Sequence, residues 1–274
     1  MSIEELRAMA VNIRCDIIEM IATAKAGHPG GSLSAADVVT ALYFRVMRLD
    51  PEDPDWPDRD RFILSKGHAC PVWYAALAER GYFDKAHLGT LRRLNSILQG
   101  HPDMCKTPGI DMTAGSLGHG LSAGLGMALS GKLRKKDYHV WVIIGDGESQ
   151  EGSIWEAAMA AAKWKVDNLT AILDRNHLQN DDCVDTEMPI EPVADKWRAF
   201  GWHVMEIDGH DMEEIVEALE TAKTIKGKPA MIIAHTIKGK GVSFMENVVE
   251  WHGKAPCKEE AECALKEIRR YNCE

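Results

Sequence analysis

The residues best placed to do chemistry are an aspartate between two glycines, Gly145-Asp146-Gly147, and an asparagine thirty positions further on, Asn176. Each closes an apolar run: Val140-Trp-Val-Ile-Ile144 leads into the first, and Leu169-Thr-Ala-Ile-Leu173 delivers Asp174-Arg-Asn176. In isolation, a Gly-Asp-Gly turn is a helix cap. Two such turns at the ends of neighbouring parallel strands gather a carboxylate, an amide oxygen and several backbone N–H groups at one spot. A cation and an anion bound together need those donors. Magnesium takes hard oxygen ligands in a near-octahedral shell and keeps several non-protein ones. The pattern therefore reads as a site for a magnesium-bound diphosphate at the carboxyl edge, where open α/β sheets bind ligands.

Four histidines, His28, His68, His101 and His252, each sit in a loop after an apolar element. One histidine beside a glycine is ordinarily a turn or core residue, but a group of them can shuttle protons and steady a developing alkoxide near neutral pH. His119 and His177 lie beside these segments and read as structural. Glu151 and Glu156, five apart at the start of one helix, complement its dipole. Gly115, Gly118 and Gly120 soften a helix entry, and Gly118-His-Gly-Leu-Ser-Ala123 imitates a dinucleotide pattern. No strand runs directly into that stretch, as the dinucleotide fingerprint demands.

Taken in order, Lys25-Ala-Gly-His-Pro-Gly-Gly31, Ser65-Lys-Gly-His68, Gly100-His-Pro-Asp103, Ala114-Gly-Ser-Leu-Gly118, Gly145-Asp-Gly-Glu-Ser-Gln-Glu-Gly152, Asp174-Arg-Asn176 and Trp251-His-Gly253 span nearly the whole chain. Their sequence and spacing resemble the thiamine diphosphate-dependent transketolases. The resemblance implies that Asp146, Asn176 and the backbone carbonyl of Leu178 ligate magnesium. It further implies that Gly145, Gly147 and His68 bind the diphosphate, that Gly115 lets the backbone approach the cofactor, and that Leu117 packs near the thiazolium ring. His252 would contact both the diphosphate and the reacting carbon. His28 and His101 would hold sugar hydroxyls, and Glu151 and Glu156 would face a partner subunit. One segment departs from the family: after Asn176-His-Leu178 the family continues with an apolar residue, Asp and Gly, where this chain has Asn180-Asp181-Asp182.

A single-chain transketolase is more than twice as long, and nothing here resembles its pyrimidine-binding or C-terminal domains. The expectation is one diphosphate-binding domain over residues 1–274, acting as the N-terminal subunit of a two-component transketolase. With a C-terminal subunit, in an α2β2 assembly, it would move a two-carbon ketol unit from a ketose phosphate to an aldose. The activating Glu, the aromatic clamp and the arginines that grip sugar phosphate belong to the missing half, so donor and acceptor are not readable here. The alternatives are a subunit of a deoxyxylulose-phosphate synthase or 2-oxo acid dehydrogenase, and a non-catalytic partner that senses the cofactor. The four histidine motifs favour transketolase, since a dehydrogenase has little need to hold sugar hydroxyls.

Composition narrows the remaining classes. A net charge of −10 with no basic cluster argues against nucleic acid. No apolar run approaches the roughly twenty residues of a membrane span, and the N-terminus lacks the basic-then-apolar order of a signal. Seven scattered cysteines without a Cys-x-x-Cys pair read as free thiols in a cytoplasmic protein rather than as a zinc or disulfide framework.

The elements that must hold these residues follow from periodicity. Ser2-Ile-Glu-Glu5 is a capping box opening a helix with Leu6, Met9, Ala10, Ile13, Ile17, Met20 and Ile21 on one face, stopped by Gly27 and Pro29. A second helix fits Ser34–Met47, and Arg61–Leu64 reads as a buried strand leading into a helix over Cys70–Arg80. From Gly120 the chain alternates: helix to Leu133, strand Val140–Ile144, helix Glu151–Trp164, strand Leu169–Leu173. There follow helix Val193–Phe200, strand His203–Ile207, helix Asp211–Ala222 and strand Ala230–Ala234. That order predicts an α/β fold, a doubly wound parallel sheet with helices on both faces. Thr236–Pro256 is a long loop of the kind that carries function, and Lys258–Arg270 is a charged final helix.

Overall fold

A computed structural model describes residues 1–270. Five parallel strands, β1 (Arg61–Leu64), β2 (Val140–Gly145), β3 (Leu169–Arg175), β4 (His203–Asp208) and β5 (Ala230–His235), form one sheet in the order β1-β2-β3-β5-β4. The helices divide between its faces. One face carries α1 (Ile3–Ala24), α2 (Pro29–Ser34), α3 (Ala36–Ala41), α4 (Cys70–Arg80), α9 (Met212–Thr224) and α10 (Lys258–Arg270). The other carries α5 (His119–Leu133), α6 (Gly152–Lys163) and α8 (Val193–Ala199). The topology accounts for α5, α6, α8 and α9 in this division, while α4, also within the β1-to-β2 link, lies on the α9 face. The links from β1 to β2, β2 to β3 and β3 to β4 step one way along the sheet, whereas the link from β4 to β5 steps back. Right-handed crossovers place the helices of opposite steps on opposite faces.

Each central strand reads as an unbroken apolar run because both of its faces are covered. Trp141, Ile143, Ile172, Ile232 and Ala234 pack into one core, while Val140, Val142, Ile144, Ala171, Leu173, Met231 and Ile233 pack into the other. The registers Gly145 with Asp174 and Asp174 with Ala234 bring the strand ends level. Whatever follows each strand therefore emerges along a single carboxyl edge. The predicted doubly wound parallel sheet is the observed fold.

Three local readings are corrected. The helix expected over Ser34–Met47 is instead α2, α3 and a wide turn at Leu42–Val46, separated at Ala35. Pro29 does not stop a helix but occupies the first position of α2, where its missing N–H costs nothing. α1 itself ends earlier, with Lys25 in the left-handed conformation. The connection Asn176–Pro192 contains a short helix, α7 (Val184–Glu187). The capping box of α1 is present in full, with Glu5 N–H on Ser2 Oγ and Ser2 N–H on Glu5 Oε2. α10 docks on α1 through Ala261, Ala264 and Ile268, and Arg269 pairs with Glu19 at 3.5 Å. The six described cysteines are free, and Cys273 lies outside the described residues. Among the described residues no helix is long and apolar enough to cross a membrane.

Candidate active site

Strand β2 ends at Gly145 and the chain turns at once, so Asp146 lies at the carboxyl edge with 2% of its surface exposed. Its Oδ1 accepts the N–H of Gly147 at 2.8 Å, and its Oδ2 accepts the N–H of His177 at 2.6 Å and faces Arg175 Nη1 at 3.3 Å. Burial, reinforced by the neighbouring Asp174 carboxylate, raises the Asp146 carboxyl to about 6. A buried carboxyl held so far above its ordinary range gains from any cation placed beside it.

Asn176 is oriented by its neighbour. Its Nδ2 donates to Asp174 Oδ2 at 3.0 Å, which fixes which end of the amide is oxygen, and Oδ1 also accepts the N–H of Leu178 at 3.2 Å. Asp174 Oδ2 accepts from Ser34 Oγ as well, at 2.6 Å, and the same carboxylate binds Lys66 and Thr236. One acidic side chain thus ties the ends of β1, β3 and β5 to α2. Burial alone would raise Asp174, but the Lys66 ammonium and the hydroxyls of Ser34 and Thr236 outweigh it and hold the carboxyl below its ordinary range.

Asp146, Asn176 and Leu178 line a single cavity of about 270 Å3 together with Gly145, Gly147, Leu117, His68, His252, Lys66 and Lys238. These donors are hard oxygens and N–H or ammonium groups, which suits a magnesium ion held against a diphosphate. Gly31 completes the floor, where its carbonyl accepts from Lys66 Nζ at 2.8 Å. Lys238 Nζ reaches the carbonyls of Leu178 and Gln179 at 2.9 and 3.1 Å and His252 Nδ1 at 2.8 Å. Because an ammonium only donates, His252 Nδ1 accepts and its ring hydrogen sits on Nε2.

Three of the predicted histidines form a triangle. The ring centroids of His28 and His68 are 5.2 Å apart, those of His28 and His252 5.4 Å, and those of His68 and His252 5.1 Å. Burial and the nearby Arg92, His101 and Lys238 lower His28 to about 4, and burial with Lys238 and His28 lowers His252 to about 3. His68 is pushed well below the ordinary range by burial and Lys66. All three are neutral at pH 7, so each can donate and accept a hydrogen bond. His101 is exposed, stands beside Gly115, and is lowered by burial and Arg92. Neither His101 nor Gly115 lines the cavity, and His28 reaches it only through its two neighbouring rings.

Glu151 lines the cavity mouth and caps the start of α6, with Glu156 exposed on the first turns of that helix. Neither carboxylate makes an internal hydrogen bond or ion pair among the described residues. Of the departing segment, Asn180 lines the cavity, while Asp182 turns its carboxylate onto the N–H of Cys183 at 2.6 Å. Sequence reasoning missed Lys66 and Lys238, each 2% exposed. Lys66 lies inside the Ser65-Lys-Gly-His68 motif, so its position was a usable signal. Nothing local marks Lys238.

Three kinds of likeness to known proteins accompany this geometry. Residues 5–273 match the family profile described as transketolase, thiamine diphosphate binding domain. The chain is 50% identical over 266 residues to the 6-deoxy-6-sulfo-D-fructose transketolase subunit of Clostridium sp. (strain MSTE9), covering 97% of each. It is 45% identical to one subunit of the apulose-4-phosphate transketolase of Phocaeicola vulgatus, covering 98% of this chain and 95% of that one. Human transketolase is 42% identical over 97% of this chain but only 42% of its own length. The crystal structure of Campylobacter jejuni transketolase superposes with a TM-score of 0.92 at 33% identity, covering 98% of this chain and 43% of that one. The chain therefore spans about two-fifths of the single-chain enzymes it matches, and nearly all of the subunits it matches. It belongs to the transketolase family, as a member of the N-terminal thiamine diphosphate-binding domain.

Proposed function

We propose that this protein is the magnesium- and diphosphate-binding subunit of a two-component transketolase. The observation that carries the reading is the meeting of Asp146, Asn176 and Leu178 in one cavity with His68, His252 and two buried lysines. Asp146 Oδ, Asn176 Oδ1 and Leu178 O would hold the metal, Gly145 and Gly147 would let the backbone approach the diphosphate, and the Lys66 and Lys238 ammonium groups would face its charge. Thiamine diphosphate, when bound, supplies the carbanion chemistry that opens and remakes the bond beside a sugar carbonyl. The chain's own part is to grip the charged end, exclude water through Leu117 and His68, and hold or pass a proton at His252 Nε2. His28 and His101, both held below the ordinary imidazole range, would bind donor hydroxyls, a task that a 2-oxo acid dehydrogenase subunit would not give them.

The partner is a polypeptide carrying the pyrimidine-binding domain, and Glu151, Glu156 and the cavity mouth form the surface it covers, in an α2β2 assembly. Two relatives matched over nearly their whole length are named as subunits, which supports a partner; one is named for 6-deoxy-6-sulfo-D-fructose and the other for apulose-4-phosphate. The expected reaction is transfer of a two-carbon ketol unit from a ketose bearing a terminal anion to an aldose. To test this, the chain is mixed with the product of the adjoining reading frame, thiamine diphosphate and magnesium, and ketol transfer is followed. Activity should require both chains, with one larger species seen by light scattering. Full turnover by this chain alone, or two independent species at saturating cofactor, would overturn the reading.

A further inference from the structure

Outside the cavity, one buried polar chain ends on the backbone that carries Lys238. Arg14 of α1 donates to both oxygens of Asp37 on α3, at 2.9 and 2.6 Å. The Asp37 carboxylate faces His210 Nδ1 at 2.8 Å, and the other ring nitrogen, Nε2, lies 2.8 Å from the backbone nitrogen of Ile237. None of the three side chains is more than 11% exposed. Burial alone would push Asp37 up, but Arg14 and His210 outweigh it and hold the carboxyl well below its ordinary range.

These partners settle where the ring carries its hydrogen. The Ile237 amide can only donate, so Nε2 is bare; the carboxylate can only accept, so Nδ1 holds the proton. Both bonds exist together in the neutral Nδ1–H form alone.

The local sequence makes the approach possible. His210 follows Gly209, whose N–H donates to the His235 carbonyl at 2.8 Å just past the end of β4. A Cβ on Gly209 would stand 2.4 Å from Thr236 Cγ2, so a glycine is needed for this turn to lie against the end of β5. Thr236 is tied through its N–H to the Arg175 carbonyl at 3.1 Å, and Lys238 is tied through its carbonyl to the Asn247 N–H at 2.9 Å. Ile237 stands between them, and its amide is satisfied by His210.

The geometry points to His210 as a positioning residue: through the Ile237 amide it sets the backbone from which Lys238 extends, and so where the ammonium stands in the cavity. The inference rests on the cofactor reading only for what Lys238 grips. A lysine that meets a phosphate at contact distance is sensitive to small shifts of its own backbone, which is the reason for tethering it from the protein's interior.

The test uses the purified full chain. The ring 15N shifts of wild-type His210 should report the Nδ1–H tautomer, and the Ile237 amide should be protected from hydrogen exchange. His210→Phe keeps the ring's bulk but neither bond; it should speed Ile237 exchange and weaken magnesium-dependent binding of inorganic pyrophosphate about fivefold. His210→Gln, which retains one donor and one acceptor, should restore most of both. An Nε2–H tautomer in the wild type, or a Phe variant with unchanged Ile237 exchange and unchanged pyrophosphate affinity, would overturn the inference. The wild-type tautomer decides the matter even if the Phe variant does not fold. A wild type that binds no pyrophosphate would count against the cofactor reading, leaving exchange and tautomer to uphold or overturn the tether.

Discussion

At the amino edge of the sheet, Asp60 accepts the N–H of His139 at 2.8 Å and of Arg48 at 3.0 Å, Arg48 pairs with Asp137, and Lys132 pairs with Asp167. His139 there meets Thr170 Oγ1 at 2.8 Å. At the carboxyl edge burial shifts the groups as well, around a cavity that they line. Asp146 is raised to about 6, Lys238 is lowered by burial to about 8, and three histidines are kept neutral. Both edges collect polar side chains at the ends of the same strands. The amino edge pairs its cations with carboxylates, whereas at the carboxyl edge Lys66 and Arg175 are paired but Lys238 meets only carbonyls and His252. Burial of charge therefore does not by itself mark a site; a buried cation with no carboxylate partner is the better pointer.

The sharpest way to break this contrast is to exchange the edges' roles by mutation. Asp146→Ala or Asn176→Ala should abolish cofactor-dependent turnover in the assembled enzyme, with calorimetry showing lost cofactor affinity. Asp60→Ala should leave turnover per folded molecule intact but cost about 2 kcal/mol by stranding the buried His139 N–H and the part-buried Arg48 N–H, read by urea unfolding. Unchanged cofactor affinity in both carboxyl-edge variants would end the ligand assignment.

Lys66 belongs to both kinds of region, since it pairs with Asp174 and also lines the cavity. Lys66→Met should lower stability by about 3–5 kcal/mol, because Asp174 would be left charged and buried, and should weaken the cofactor as well. A stable variant with weak binding would place Lys66 wholly in the site.

Among the histidines, His68→Ala should chiefly weaken cofactor binding, while His28→Ala and His101→Ala should raise KM or lower kcat with cofactor affinity nearly intact. The expected losses are about tenfold to a hundredfold. Equal cofactor loss in all three would erase the distinction between the cavity lining and the residues beside it.

The smallest effect is on the pH dependence of the ligand-free chain. His139 is lowered by burial from 6.5 to about 3, so its contribution is present above pH 6.5 and is lost as the pH falls towards 3. Asp146 is raised from 3.8 to about 6, so its contribution is present below pH 3.8 and is lost as the pH rises through 6. On acidification between these values the two oppose each other. His139→Gln should flatten the acid loss of stability and Asp146→Asn should steepen it, each by on the order of 2 kcal/mol across the window. Urea titrations at a series of pH values would show it.

What could be read in the sequence follows the range of the forces involved. The strands were legible because a strand covered on both faces must be apolar throughout, and Asp146 and Asn176 because strand ends fix their place within a few residues. The split between α2 and α3 was not, since Ser34-Ala-Ala-Asp-Val-Val39 has no glycine or proline at Ala35 to mark it. Lys238 acquires its setting from Gly30, whose Cβ would come within 3.0 Å of Lys238 Cγ, and from Leu178 and His252. Those contacts join segments far apart in the chain, and no window of sequence contains them. His210 is hidden for the same reason, its partners lying on α3 and past β5.

The docking of α10 on α1 has a consequence for synthesis. α1 leaves the ribosome long before α10, yet Ala261, Ala264 and Ile268 of α10 complete the core to which Leu6, Ala10, Ile13 and Ile17 belong. α3 and α4 cover part of α1 earlier, but the face that meets α10 stays open until α10 emerges, a state that invites chaperones or misassociation. Shortening the reading frame by those final turns should for that reason depress the yield of soluble protein more than its place far along the chain suggests.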